Sequence, residues 1–390
     1  MENKRSIPYI SFLKPSWKGS LYYLISLTVA GSFNPFIYVY FTQLGLTGEQ
    51  VGQLATLSPV LTMLLATTVS SLADRLHRRI LFLQIALACV AVVVFLLRFP
   101  TRFYEIAVLM FLSAVFSSPL MSLGDSLIAR MAKRENISYG GMRLWGSFGF
   151  AVSALGFGII WQIFGYEPMF IVTSLLYIPL ILVAGTLEEP KTVAPQQRLP
   201  MTHLFRDTGL VFLLVATFFA SISNSLFMTF SGIYVNYLGG GNFLIGLMTA
   251  FGAFAELPMM FYSDRFANWI RKPNVVILSY ILMGVAFTGY VFTTNPNVLP
   301  WLTILKGLGY GLWFPTTVKL VVEHSPDEWA ATSQSLLAIC MFGLAPIVAG
   351  PVGGWIHDVI SPGAVFGLGV VTLIIAAFII WGITAKGQLE

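Results

Sequence analysis

Charge is what this 390-residue chain has least of. Asp, Glu, Lys and Arg make up only 10% of it, against 56% hydrophobic residues, where a soluble domain carries about 25% charged residues. A water-facing surface cannot be built from so little charge, and the composition excludes a soluble enzyme or a nucleic-acid-binding domain. Cysteine is almost missing too. Cys89 and Cys340 both lie in apolar runs, which leaves neither a disulfide framework nor a thiolate cluster. His77, His203, His324 and His357 fall near the ends of apolar runs with no ligand spacing to another His, Cys or acid cluster, so no metal and no cofactor is expected. Neither a phosphate-binding glycine loop nor a nucleophile triad is visible, and the chain does not read as an enzyme. Residues 1–20 are polar and basic with no short apolar stretch ending in a cleavage site, so no removable signal peptide is expected.

Long apolar runs are what the chain does have. A bilayer core about 30 Å thick needs about 20 residues of helix, and runs of that kind fall at 20–44, 48–72, 80–98, 103–129, 139–164, 167–187, 207–238, 242–263, 273–293, 297–320, 328–357 and 363–385. The expected fold class is therefore an all-α membrane protein of twelve transmembrane helices. Cations cluster at every second gap: Lys4, Arg5, Lys14 and Lys18; Arg75, Arg78 and Arg79; Arg130, Lys133 and Arg134; Lys191, Arg198 and Arg206; Arg265, Arg271 and Lys272; Lys319; Lys386. The gaps between hold only Arg98 and Arg102. Because Lys and Arg are retained on the cytoplasmic side, both termini are expected inside. The basic balance is a topology signal and implies no nucleic-acid partner.

One sizeable polar stretch, Glu188 to Thr202, divides the chain. It predicts an N-terminal six-helix bundle (1–187), a cytoplasmic linker (188–206) and a C-terminal six-helix bundle (207–390). An internal repeat supports the division. Gly45 and Gly52 precede Leu72-Ala73-Asp74-Arg75, and Gly239 and Gly246 precede Tyr262-Ser263-Asp264-Arg265; each Asp-Arg is followed by further cations. Duplicated halves place the expected cavity on the pseudo-symmetry axis between them.

Ser70-x-x-x-Asp74-Arg75-x-x-Arg78-Arg79 between helices 2 and 3, echoed after helix 8, resembles the signature loop of the major facilitator superfamily, with Ser70 and His77 at the usual glycines. The resemblance implies two pseudo-symmetric six-helix bundles and a cytoplasmic gate made of Asp74, Arg75, Arg78, Arg79, Asp264 and Arg265. It also implies a multi-pass protein of a bacterial inner membrane.

Among residues within expected spans and away from the cytoplasmic loops, four ionisable ones stand out: Asp125, Arg143, Glu256 and Lys306. Charges in lipid survive by facing a partner or water, so these mark a functional site. Glu256 lies about 12 Å up helix 8 from Asp264, and Lys306 about 13 Å into helix 10, at 1.5 Å per residue; both are near the midplane. Each shares a helical face with polar or aromatic residues. Ser118, Ser122 and Asp125 form one such face, as do Arg143, Ser147 and Phe150. Others are Ser221, Asn224 and Met228; Thr249, Ala253 and Glu256; Lys306, Tyr310 and Trp313; and, on helix 1, Gly31, Asn34 and Tyr38, with Pro35 as a kink. Five or six such faces converging would make a polar pocket with aromatic walls. Helix packing through small polar residues is the competing reading of any one stripe.

Asp125 and Arg143, eighteen residues apart and followed by Phe150 within Tyr139-Gly140-x-x-Arg143-x-x-Gly146, resemble the lactose permease type of oligosaccharide:proton symporter. Ala255-Glu256 with Met260-Phe261, and Leu305-Lys306, resemble that family's helices 8 and 10. Arg143-Leu144-Trp145-Gly146-Ser147 is similar to the nucleoside:proton symporters and closer still to the phenylpropionate permeases. The resemblance implies substrate contacts at Asp125, Arg143, Ser147, Phe150, Asn224 and Glu256, and the polar and aromatic helix faces add Asn34, Tyr38, Lys306, Tyr310 and Trp313 as expected substrate-binding residues. Gly309 and Leu312 stand where lactose permease carries a histidine and a glutamate, which leaves proton coupling to Glu256 or Asp125. A carboxylate's protonation in a desolvated cavity depends on the cations beside it, so substrate arrival or helix motion would switch it.

The expected function is a proton-coupled symporter, acting as a monomer, that moves a small organic solute (sugar, nucleoside or aromatic acid) by alternating access. Its partners are the solute, protons and the bilayer. The alternatives are a proton-driven antiporter exporting amphipathic compounds and a membrane receptor or scaffold that kept the fold. Gly350-Pro351-x-Gly353-Gly354 on helix 11 looks like an antiporter motif out of place, and close helix packing explains it better.

Overall fold

A computed structural model describes residues 14–189, 207–325, 329–387 and 389. The side chains of Pro15, Asp74, Ala330 and Ala331 lie outside that description, as does the expected linker from residue 190 on. Among the described residues the regular elements are helices: α1 (Pro15–Gln43), α2 (Gly48–Arg75), α3 (Arg79–Leu96), α4 (Phe103–Ser117), α5 (Leu120–Glu135), α6 (Tyr139–Phe164) and α7 (Glu167–Ala184). These are followed by α8 (Thr208–Tyr237), α9 (Asn242–Ile270), α10 (Lys272–Phe292), α11 (Leu299–Glu323), α12 (Ala330–Ala338), α13 (Ala345–Val359) and α14 (Ala364–Ala385). A π-helical turn, Ile339–Leu344, joins α12 to α13.

Fourteen helices make twelve spans because two spans are broken. Pro119 has no amide hydrogen to donate back into α4, so the Phe103–Glu135 span divides there. The Thr332–Val359 span divides at its π turn, which holds Gly343 and is followed by Pro346. Eleven spans are apolar enough to cross a membrane by composition. The twelfth, α11, carries Lys306, Lys319 and Glu323.

Several helices run past their expected ends. The expected basic loop at Arg130, Lys133 and Arg134 is the last two turns of α5. Leu127, Ile128, Met131 and Ala132 keep one face buried, and the helix stops only where Asn136 turns left-handed at φ 53°. Asp264 and Arg265 likewise lie within α9. The sequence repeat has a backbone counterpart. Gly45 (φ 90°) ends the α1–α2 turn as Gly239 (φ 82°) ends that between α8 and α9, and His77 (φ 52°) and Arg271 (φ 67°) occupy the α2–α3 and α9–α10 turns.

The chain gathers into two compact units, one holding Met1–Asn34 and Leu61–Pro195, the other Pro35–Val60 and Gln196–Glu390, so far as these are described. In the first unit, Tyr22, Leu83, Leu87, Leu123, Leu127, Met142 and Leu180 build a buried core joining α1, α3, α5, α6 and α7. Trp161 donates from Nε1 to the Ser32 carbonyl at 3.0 Å and ties α6 to α1. In the second unit, Phe227, Phe287, Tyr290 and Phe366 pack ring against ring between α8, α10 and α14.

Candidate functional site

The first unit brings Asp125 and Arg143 together. Arg143 Nη1 donates to Asp125 Oδ2 at 3.3 Å across the α5–α6 turn. Two tyrosines close the group. Tyr23 on α1 donates from its hydroxyl to Asp125 Oδ1 at 2.5 Å, and Tyr139, one turn before Arg143 on α6, accepts from Arg143 Nη1 at 3.4 Å. The two hydroxyls are 3.0 Å apart, and the guanidinium also lies 5.8 Å from the Tyr23 ring centre. Local sequence explains the positioning: Ser138 caps α6 by accepting from the Gly141 amide at 3.1 Å, which fixes the start of the helix that carries both Tyr139 and Arg143. The Arg143 side chain is 46% exposed and that of Asp125 30%, so the group is a partly open polar surface able to exchange hydrogen bonds with a solute.

The second unit brings Glu256 and Lys306 together. Lys306 Nζ lies 3.3 Å from Glu256 Oε1, with the lysine side chain 1% exposed. The ammonium sits 5.0 Å from the Phe227 ring centre and 4.5 Å from that of Tyr310, so aromatic faces replace water on its remaining sides. Glycine makes the approach possible. A Cβ on Gly307 would lie 2.5 Å from the Gly252 carbonyl, and one on Gly311 would lie 2.5 Å from that of Glu256. These bare positions let α9 and α11 touch backbone to backbone on either side of the pair.

The other expected substrate residues are placed variously. Ser147 and Phe150 continue the Arg143 face of α6, both half-buried, and Asn34 is exposed on α1. Tyr38 is half-buried with its ring edge-on to Phe41. Asn224 lies one turn before Phe227 on α8, with its Oδ1 buried and given no hydrogen-bond donor among the described residues. Trp313 is fully buried against Tyr280 and Tyr310. Several polar stripes belong to helix packing. Ser118, Ser221 and Thr249 each donate to a carbonyl of their own helix, and Ser122 pairs with Ser70 of α2 at 2.6 Å.

Of the residues expected to form a gate, Arg79, Asp264 and Arg265 make contacts inside their own units. Arg79 is buried and donates to Ser126 of α5 at 2.6 Å, while Arg75 and Arg78 are exposed at the α2–α3 turn. Asp264 pairs with Lys319 of α11, and the Arg265 guanidinium lies over the Tyr262 ring. The Asp74 side chain is outside the described residues.

Sequence reasoning missed Tyr23 and Phe227 as members of these groups. Tyr23 was within reach, because 23, 27, 31 and 34 follow helical spacing and share the α1 face of Gly31 and Asn34. Phe227 gave no such signal, since one phenylalanine among 32 marks nothing by itself.

A family model described as "MFS_1 like family" matches residues 16–368. A maltose permease of Geobacillus stearothermophilus is 26% identical over 353 residues, covering 89% of this chain and 89% of the permease. An uncharacterized transporter of Bacillus subtilis (strain 168) is 25% identical over 353 residues, covering 88% of this chain and 87% of its own. A crystal structure of a mutant of the nucleoside transporter NupG superposes with a TM-score of 0.85 at 14% identity, covering 95% of this chain and 99% of that one. At that identity the likeness speaks for the fold alone.

Proposed function

The chain belongs to the MFS_1-like family of major facilitator transporters, which are not enzymes, and from that premise we propose that it is a proton-coupled symporter for a small, polar organic solute. The observation that carries this reading is the pairing of the four expected site charges inside their own units, Asp125 with Arg143 and Glu256 with Lys306. Each pair is neutral as a whole and ringed by tyrosine or phenylalanine. A net-neutral polar group with flat apolar neighbours suits a ligand that offers hydroxyls and a ring face, as sugars and nucleosides do.

The two pairs divide the work. Asp125 accepts and Arg143 donates at the more open group, where charge-assisted hydrogen bonds orient the solute. Glu256, with Lys306 as its buried counter-charge, is the proton carrier. Protonation of Glu256 cancels one member of the pair and frees the ammonium, so proton occupancy and the arrangement of α9 and α11 change together. Maltose and other sugars, nucleosides and aromatic acids form the substrate panel, and a thermal-shift screen of purified protein against them identifies the ligand by stabilisation of the folded state.

In proteoliposomes, Glu256→Gln should abolish accumulation driven by a pH gradient and retain substrate counterflow. Gradient-driven accumulation that survives the substitution would remove Glu256 from the mechanism.

A further inference from the structure

The amino end of α2 is held by a carboxylate from a distant helix. Asp358, in the last turn of α13, accepts from the Gly48 amide with Oδ1 at 2.8 Å and from the Glu49 amide with Oδ2 at 2.9 Å. These are the first two amides of α2, which have no intrahelical partner, and the positive end of the helix dipole strengthens a bond to an anion there. Local capping is already supplied by Thr47 and Gln50, which bond each other's amides at 3.1 and 3.2 Å. Asp358 is thus an addition to the helix's own cap. It is supported in turn by His357, whose Nδ1 is 2.8 Å from Asp358 Oδ1 and whose ring stacks on Phe230 of α8 at 6.0 Å. The other carboxylate at this corner, Glu49, turns away to accept from Gln53 Nε2 at 3.3 Å.

Beneath this clamp the two helices touch without side chains. Gly48 and Gly52 of α2 face Gly350 and Gly354 of α13, where a Cβ on Gly354 would lie 2.7 Å from the Glu49 Cα and one on Gly350 would lie 2.8 Å from Thr56 Cγ2. Glycines offer no side chain to bond across such a seam, and the charged contact at its end is a polar fastening. The span that bears Asp358 is also built to bend, with its π turn at Ile339–Leu344 and Pro346 directly after.

We propose that Asp358, braced by His357, is a latch on the membrane face opposite the cation-rich loops. It fastens α2 to α13 while that face is closed and lets go when it opens. The inference rests on the transport reading, since α2 and α13 come from opposite halves of the sequence and alternating access requires such a contact to break in every cycle.

The test measures accessibility without substrate. In a background with Cys89→Ser and Cys340→Ser, Thr56→Cys places a thiol in the seam, and its rate of reaction with a membrane-impermeant maleimide is followed in sealed, right-side-out membranes. With Asp358 intact the rate is expected to be low. Asp358→Asn, which removes the charge and one acceptor oxygen, should raise it about tenfold, equivalent to about 1.4 kcal/mol. His357→Gln, which keeps the carboxylate, should raise it less, about threefold. A thiol at Phe99, an exposed position, reports any general change in reactivity and should not respond. Unchanged Thr56→Cys labelling in Asp358→Asn overturns the latch; should that variant fail to fold, unchanged labelling in His357→Gln overturns it instead. Faster labelling in a protein that shows no counterflow with any solute would keep the latch and reject the symporter.

Discussion

Lys306 and Glu256 form an ion pair of 3.3 Å in which the lysine side chain is 1% exposed and the glutamate 22%. No other cation among the described residues is as completely removed from solvent. A buried pair of this kind contributes little net stability against an apolar replacement, yet breaking it leaves one charge stranded.

Lys306→Met should therefore lower the unfolding temperature markedly, by the equivalent of about 3 kcal/mol. The double variant Lys306→Met/Glu256→Gln should recover most of the loss, because the stranded carboxylate is gone. Thermal unfolding in detergent checks this, and a double variant no more stable than the single one would contradict the pairing.

At the more open group, Tyr23→Phe removes the hydroxyl that donates to Asp125 at 2.5 Å and leaves the ring under the guanidinium. One hydrogen bond to a charged group is worth about 1.5–3 kcal/mol, and part of that is recovered by water at a partly exposed site. The expected outcome is a loss of substrate affinity of about tenfold with folding intact, read from the ligand-induced thermal shift. Tyr139→Phe should cost less, since its bond to Arg143 is 3.4 Å long.

Gly307 is the point where α11 meets the α9 backbone. Gly307→Leu must push a Cβ into the Gly252 carbonyl, 2.5 Å away, and into the Ala255 Cβ, 2.9 Å away. Overpacking of this sort costs about 1–3 kcal/mol, and the displacement would also separate Lys306 from Glu256. Lowered stability together with lost pH-gradient coupling is expected. Gly284→Leu, where nothing lies within 4 Å of an added Cβ, is the control that should retain both.

His77 holds a left-handed backbone at φ 52° in the α2–α3 turn, a conformation that costs a non-glycine residue about 1 kcal/mol. His77→Gly should leave stability unchanged or raise it slightly, whereas His77→Val should lower it. The comparison of unfolding temperatures for the two variants reads the strain, since both remove the exposed imidazole and its 3.2 Å contact with the Arg75 carbonyl alike.

Much of this architecture could be read from hydrophobic run lengths alone. Twelve stretches able to cross lipid follow from the backbone's need to satisfy its own hydrogen bonds there, and the paired Gly45/Gly239 and Asp74/Asp264 spacings exposed the repeat. Helix ends were less legible. Arg130, Lys133 and Arg134 read as a loop by charge, yet the buried face of Leu127, Ile128 and Met131 carries α5 past them. Pro119 broke a span that hydropathy left whole.

The sequence by itself determined which charges lie inside the spans and that lipid would require partners for them. Only the tertiary structure decided which acid meets which base. Asp125 and Arg143 are neighbours through one short turn, and their pairing was nearly local. Glu256 and Lys306 are separated by 50 residues, and they meet because glycines on two helices permit a backbone approach that one-dimensional spacing does not reveal. The same is true of Asp358, an ordinary acid at a helix end in the sequence, which becomes the cap of a helix 309 residues away once the chain has folded.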